Sequence, residues 1–176
     1  MEEMIDIYDE NRQRTGERIP REGAFLKEGQ YMLYVLAIIE NQEGKILITQ
    51  RSQDKHWAPG WWEVTGGGVR AGEWPEETVV REVAEEVGLD VSNMNEKPVY
   101  AYVNVDLERG DNYIVDIYRY RLAFEENDVT LQQSEAVAFQ LATWEQITAL
   151  KEQGLFLHFD RIRQALEAEG AAGLAK

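Results

Sequence analysis

The chain has no cysteine, which excludes disulfides, thiolate metal sites, iron–sulfur clusters and cysteine nucleophiles. Long apolar runs are also missing. No stretch approaches the roughly 20 residues of a membrane span, and the acidic start MEEMIDIYDE lacks the basic-then-apolar order of a secretory signal. A cytoplasmic protein with no membrane partner is therefore expected. Basic residues are scarce, 18 Lys+Arg against 33 Asp+Glu for a formal net charge of -15, and such a field repels phosphate backbones and argues against a nucleic-acid partner. Histidines number only two, and His56 and His158 are given no role. Repeats, low-complexity tracts and Pro/Ser-rich linkers are absent as well. With 176 residues, 44% of them hydrophobic, the chain has material for one domain with a sizeable core. That domain is expected to span residues 1–170, with an N-terminal hairpin extension over about 1–25 and a tail, 170–176, that frays.

Ile5–Tyr8 and Thr15–Ile19 flank a polar segment and read as the short N-terminal hairpin. Tyr34–Ile39 and Ile46–Gln50 are β-branched apolar runs separated by Asn41–Gly44, a pattern that predicts a central hairpin. A loop over Arg51–Trp61 leads through Trp62–Thr65 into Gly66, Gly67 and Gly68, and three consecutive glycines are not expected inside a helix or strand. Pro75–Val87 has helical periodicity, with Pro suited to the first turn and Gly88 to the stop. Strands are predicted over Val99–Val105, Tyr113–Phe124 and Ala136–Leu141, and helices over Trp144–Glu152 and Asp160–Glu169. The mixture predicts an α/β fold, a central mixed β-sheet with helices on its faces.

An acidic chain can still bind a small polyphosphate if part of its charge is clustered to recruit divalent cations. On a helical wheel with Glu82 at zero, Glu85 falls near about -60° and Glu86 near about +40°. Three carboxylates thus share one face, beside a stripe of Val79, Val80, Val83 and Val87. Charges this close repel and raise one another's pKa values, a cost that oxygen-liganded divalent ions relieve. Arg81, one turn from Glu77 and Glu85, offers ion pairs of only a few tenths of a kcal/mol each. A glutamate-rich helix is also, in many proteins, just a solvated face.

The surroundings decide between these readings. Gly67, five residues, Glu73, seven residues, then Arg81-Glu82-Val83-Ala84-Glu85-Glu86-Val87-Gly88-Leu89 resembles the Nudix box in full, across 23 of the 176 residues. The resemblance implies a Nudix-type α/β/α sandwich and a pyrophosphohydrolase. It implies that Glu82, Glu85, Glu86 and the Gly67 carbonyl bind Mg²⁺, for which Mn²⁺ may substitute, and that Glu73 and Arg81 hold loop and helix together. The general base is either a box glutamate or an acid from a distant loop. Glu135, in the polar run before Ala136, is the distal candidate, and its bland alternative is an ordinary loop acid. Where relatives often carry Ser or Thr before the box's proline, this chain has Trp74, so helix capping is expected from elsewhere, with Glu73 the candidate.

Outside the box, Asp6-Ile7-Tyr8-Asp9-Glu10-Asn11 and Leu47-Ile48-Thr49-Gln50-Arg51-Ser52 are similar to the isopentenyl-diphosphate isomerase-like branch of the family. Those isomerases use an active-site cysteine, which this chain lacks, so the resemblance implies a hydrolase on the isomerase's scaffold. The expected partner is a small-molecule diphosphate, and since the branch includes dimers a homodimer is open. A nucleotide-binding module without turnover is the alternative, although every box carboxylate is present. Trp57, Trp61, Trp62 and Trp74 read either as packing residues or as rings on which a base stacks.

Overall fold

The computed structural model describes residues 2–174, with side chains through Ala168. Strands β1 (Met4–Tyr8) and β2 (Arg14–Pro20) form an antiparallel hairpin, as the two segments around a polar stretch predicted. The main sheet contains β3 (Met32–Glu40), β4 (Ile46–Arg51), β5 (Trp62–Glu63), β6 (Thr65–Gly68), β7 (Tyr100–Asn104), β8 (Tyr113–Arg121) and β9 (Ala136–Ala142). Its order is β5-β4-β3-β8-β7, with β6 on β3 and β9 on β4. The helices are α1 (Pro75–Val87), α2 (Trp144–Glu152) and α3 (Phe159–Leu174).

Strand β3, MLYVLAIIE, is apolar on both faces because both are covered. Leu33, Val35, Ala37 and Ile39 point into one core with Val79, Val83 and Val87 of α1. Leu36 and Ile38 point into the other with Ile147 of α2 and Ile162 and Ala165 of α3. The fold is thus the expected α/β/α sandwich around a mixed sheet. Burying each α1 valine contributes about 1.5–3 kcal/mol, which orients the helix and leaves its acidic face turned away from that core.

Four expectations need correction. The predicted central hairpin touches only at its mouth, Glu40 opposite Ile46. Beyond that pair β6 occupies the edge of β3, and β4 turns to β9 and β5. The glycine run is not a loop: Gly66, Gly67 and Gly68 pair with Leu36, Val35 and Tyr34. Side chains would not fit there, because a Cβ on Gly66 would stand 2.4 Å from the Val35 carbonyl oxygen. Helix α3 runs to Leu174, past the predicted end at Glu169. The predicted fraying of 170–176 falls on positions whose side chains, and at 175–176 whose backbone, lie outside the described residues.

The last correction concerns the start of α1. Glu73 does not cap it. The Glu77 carboxylate accepts the Trp74 N–H at 2.8 Å, and the Trp74 carbonyl accepts the N–H groups of Glu77 and Thr78 at 3.0 Å each. Pro75 has no N–H to satisfy, so Trp74 can stand at this position without a capping hydroxyl. At the other end Gly88 adopts φ 72 and donates to the Ala84 carbonyl, the left-handed stop that glycine takes without strain.

Candidate active site

Two elements meet at the site. Strand β6 brings the glycines across β3, and α1, held to the same sheet face by its valines, sets Glu82 against them. A Cβ on Gly67 would lie 2.2 Å from Oε1 of Glu82, so the missing side chain is what lets the carboxylate reach the backbone. The Gly66 N–H favours the ionised form of Glu86, and the carboxyls of Glu82 and Glu86 influence one another's ionisation.

Glu73 is the anchor that the box spacing implied. Its Oε2 accepts Arg81 Nε at 2.7 Å and its Oε1 accepts Arg81 Nη2 at 2.9 Å, a bidentate pair. The Thr78 hydroxyl at 2.7 Å and the Arg70 N–H at 3.2 Å complete its shell. Burial alone would raise the pKa of Glu73, but these donors outweigh it and pull the value down to about 2. Arg81 Nη1 then reaches Glu82 at 2.9 Å and Glu85 at 3.2 Å, while Glu77 serves the helix start instead of pairing with Arg81. One guanidinium thereby ties the loop to two of the three box acids.

Burial is the largest influence on Glu82 and Glu86. It raises Glu82, with Arg81 opposing and Glu85 adding repulsion. It raises Glu86 much further, reinforced by the charges of Glu82, Glu63 and Glu135 and opposed by the Gly66 N–H. Glu85, with 40% of its side chain exposed, is the open member. Among the described residues no three such groups enclose a common point, and Arg81 holds Glu82 and Glu85 in ion pairs.

Glu135 contributes through its charge to raising both Glu86 and Glu63. It forms an ion pair with Lys55, and its carbonyl accepts the Ser52 N–H. Glu63 escaped the sequence reading. It lies on β5, pairs with Arg51 at 2.9 Å, and is raised by burial against the opposing Arg51 and Lys55. The available signal was period-2 alternation in Trp62-Glu63-Val64-Thr65, which sends Val64 into one core and Glu63 to the other face. Arg51 also donates to the Trp57 carbonyl at 3.1 Å and lies 5.3 Å from its ring. Of the four tryptophans, Trp57 and Trp74 are exposed and Trp61 and Trp62 half-buried, with Trp62 packed on a core. His158 sits beside Trp57, its pKa lowered by burial and by Arg51; His56 is exposed.

A carboxylate cluster that touches glycine backbone, with two cations paired to further acids at its edge, is the chemistry of a site for divalent ions and phosphates. Residues 30–162 match the NUDIX domain, and the chain belongs to that family. It is 31% identical over 167 residues to an uncharacterized Nudix hydrolase of Listeria innocua, covering 94% of this chain and 95% of the relative. Over 54 residues it is 46% identical to the 8-oxo-dGTP diphosphatase of Escherichia coli, covering 31% and 41% respectively. In structure it resembles DR0079 of Deinococcus radiodurans, with a TM-score of 0.70 at 23% identity over 87% of this chain and 91% of that one. The fold, the intact box and the family together define a Nudix pyrophosphohydrolase. Placement in the isomerase-like branch rests on the two segments quoted above alone.

Proposed function

We propose that this hydrolase cleaves a diphosphate linkage in a nucleoside diphosphate-type substrate, either an X-linked nucleoside diphosphate or a nucleoside di- or triphosphate. The observation that carries this reading is the contact of Glu82 with the Gly67 backbone, with the charges of Glu82, Glu63 and Glu135 all acting on the neighbouring Glu86. Glu82, Glu85, Glu86 and the Gly67 carbonyl would hold Mg²⁺, or Mn²⁺ in its place. The donor set fits such an ion: all are hard oxygens, and the absence of a Cβ at Gly67 puts backbone and carboxylate side by side. When bound, the ion supplies neutralisation of the diphosphate, a lowered pKa for water and stabilisation of charge at phosphorus.

The chain's own residues do the rest. Arg81, fixed by Glu73, orients Glu82 and Glu85. Arg51 and Lys55 are paired with Glu63 and Glu135 at the edge of the cluster and can exchange those partners for phosphate oxygens. The oxygen of water attacks phosphorus, and the anhydride P–O bond breaks with its electron pair leaving on the departing phosphate. The water's proton passes to a carboxylate of the cluster, a box glutamate or Glu135.

Relatives that act on nucleotides support the substrate class. They include the 8-oxo-dGTP diphosphatase and a CTP pyrophosphohydrolase of Escherichia coli. The NUDIX domain of Shewanella oneidensis NrtR, similar to this chain with a TM-score of 0.61 at 18% identity, was solved with ADP ribose. The test is purified protein with Mg²⁺ against nucleoside di- and triphosphates, nucleoside diphosphate sugars, dinucleotides and prenyl diphosphates, run in ¹⁸O-water. Labelled phosphate-containing products from a nucleotide are expected. Calorimetric binding of nucleotides without turnover on any of them would overturn the reading in favour of a binding module.

A further inference from the structure

The β1–β2 hairpin lies outside the region matched by the family, residues 30–162, yet its polar side chains converge on the loop between β6 and α1. Asp6, 4% exposed, accepts the Gly72 N–H at 2.7 Å and Arg18 Nε at 2.9 Å. Arg14 Nε stands 3.5 Å from the same carboxylate. Its Nη2 donates to the Glu73 carbonyl at 2.6 Å, and its guanidinium lies 3.9 Å over the Trp74 ring. The Ala71 N–H donates to the Met4 carbonyl at 2.8 Å.

The hairpin grips the sheet as well. Arg12, at its turn with φ 65, donates from Nη2 to both carboxylate oxygens of the buried Asp116 of β8, at 2.8 and 2.6 Å. Asp116 is the partner of Val35 in the β3–β8 register, and Val35 is the partner of Gly67 in the β3–β6 register. The hairpin's turn therefore holds the row of the sheet that contains Gly67. Its strands, through Met4, Asp6 and Arg14, hold the last residues before the helix that carries Glu82, Glu85 and Glu86.

We propose that Asp6 and Arg14 are positioning residues of the active site: the hairpin sets where the Glu73 end of the loop stands relative to Gly67. Through the Glu73–Arg81 pair, this fixes where Glu82 and Glu85 point. The loop includes Gly72 at φ 84, and ordering such a flexible segment requires contacts that offset its lost conformational freedom. The inference rests on the reading of Glu82, Glu85 and Glu86 as ligands of a divalent ion. Direct partners of metal ligands, the place Arg81 holds here, change metal affinity or activity by about 10–100-fold when lost, and Asp6 and Arg14, acting through Glu73 and Arg81, should cost no more than that.

The experiment compares Asp6→Asn, Arg14→Ala and Arg14→Lys with the parent protein, and with Glu17→Ala, an exposed control on the same hairpin. Mn²⁺ alone is the probe, titrated by paramagnetic resonance well below the melting temperature. Amide hydrogen exchange is read at Gly72, and kcat and KM are measured on the best nucleotide of the substrate panel. Asp6→Asn and Arg14→Ala are expected to bind Mn²⁺ about tenfold more weakly and to lose about 10–100-fold in kcat with KM within about twofold. Faster exchange at Gly72 accompanies these losses in Asp6→Asn. Arg14→Lys, which keeps a donor for the Glu73 carbonyl, recovers part of the loss, and Glu17→Ala changes none of these quantities. Variants that melt earlier, or exchange faster at Gly72, while keeping parental Mn²⁺ affinity and kcat would overturn the proposal and leave the hydrolase reading intact. If Asp6→Asn does not fold, Arg14→Ala decides alone. A parent protein that binds no Mn²⁺ overturns both readings.

Discussion

A methyl group on Gly67 would stand 2.2 Å from Oε1 of Glu82 and 2.3 Å from its Cδ. What it would meet is the end of a flexible side chain, so Gly67→Ala can be accommodated by swinging the carboxylate away. That release is the point of the test. Gly67→Ala should cost only about 1–3 kcal/mol of stability while lowering turnover by at least about a hundredfold, because the acid can no longer lie against the backbone. Thermal melts and steady-state kinetics on one preparation check this. Parental turnover in Gly67→Ala would sink the assignment of Gly67 and Glu82 to one ion site.

Helix α1 separates its duties by face, and substitutions on the two faces should separate fold from activity. Val83 is fully buried against the sheet, whereas Glu85 has 40% of its side chain exposed. Val83→Ala is expected to lose roughly 1–3 kcal/mol of stability through lost burial and a small cavity, with kcat within about threefold of the parent. Glu85→Gln should change stability by at most about 1 kcal/mol, since it alters one partly exposed ion pair. Its turnover should fall at least about a hundredfold. Denaturant melts and initial rates read the two effects independently, and an active Glu85→Gln would contradict the role given to that acid.

The parts of this architecture legible in the sequence are those with a local period. The 3.6-residue pattern of Val79, Val83 and Val87 gave α1 its bounds, and the spacing from Gly67 through Glu73 to Glu86 gave the site's acids their shared face. The hairpin of β1 and β2 was visible from the polar Asp9-Glu10-Asn11 segment between its two strands. What stayed hidden depends on partners distant in the chain. Strand β6 exists because Val35 and Leu36 leave no room for a Cβ at Gly66, which no glycine propensity reports. The parallel pairing of Met32–Glu40 with Tyr113–Arg121 joins segments separated by strands β4, β5, β6 and β7 and helix α1. Asp6 meets Gly72 across 66 positions, so its burial as an acceptor could not be read from its neighbours.

Glu73 gives a pH test with a definite sign. Burial would raise its pKa, but Arg81, Thr78 and the Arg70 N–H hold it at about 2 in the folded protein. An unfolded chain titrates a glutamate near about 4.3. The stabilisation from this group is therefore complete above about pH 4.3 and is lost as pH falls through the folded value of about 2. Glu73→Gln, which keeps the shape but not the charge, should cost about 1.5–3 kcal/mol at neutral pH. Its melting temperature should then fall less steeply than the parent's between pH 5 and pH 2. Parallel curves for the two proteins over that range would mean that Glu73 is not held as an anion by Arg81.

Glu63 is the acid that the box does not contain, and its surroundings assign it a measurable effect. It lies on the short strand β5 with Arg51 2.9 Å away, and its charge is among those that raise Glu86. Removing that charge acts in two directions. Glu86 ionises more readily when a neighbouring anion is gone, but a divalent ion loses part of the negative field that attracts it. The ion carries two charges and Glu86 at most one, so the loss of field dominates. Glu63→Gln should weaken Mn²⁺ binding, by up to about tenfold, and should free Arg51 from a charged partner while leaving the amide to accept its hydrogen bond. Because Arg51 then meets phosphate with less competition, KM for the nucleotide should fall or stay level at saturating metal even as metal affinity drops. Titration of Mn²⁺ and of nucleotide at fixed excess Mn²⁺ distinguishes the two effects. A Glu63→Gln protein with unchanged ion affinity and a raised KM would show instead that Glu63 works through the fold of β5 and not through its charge.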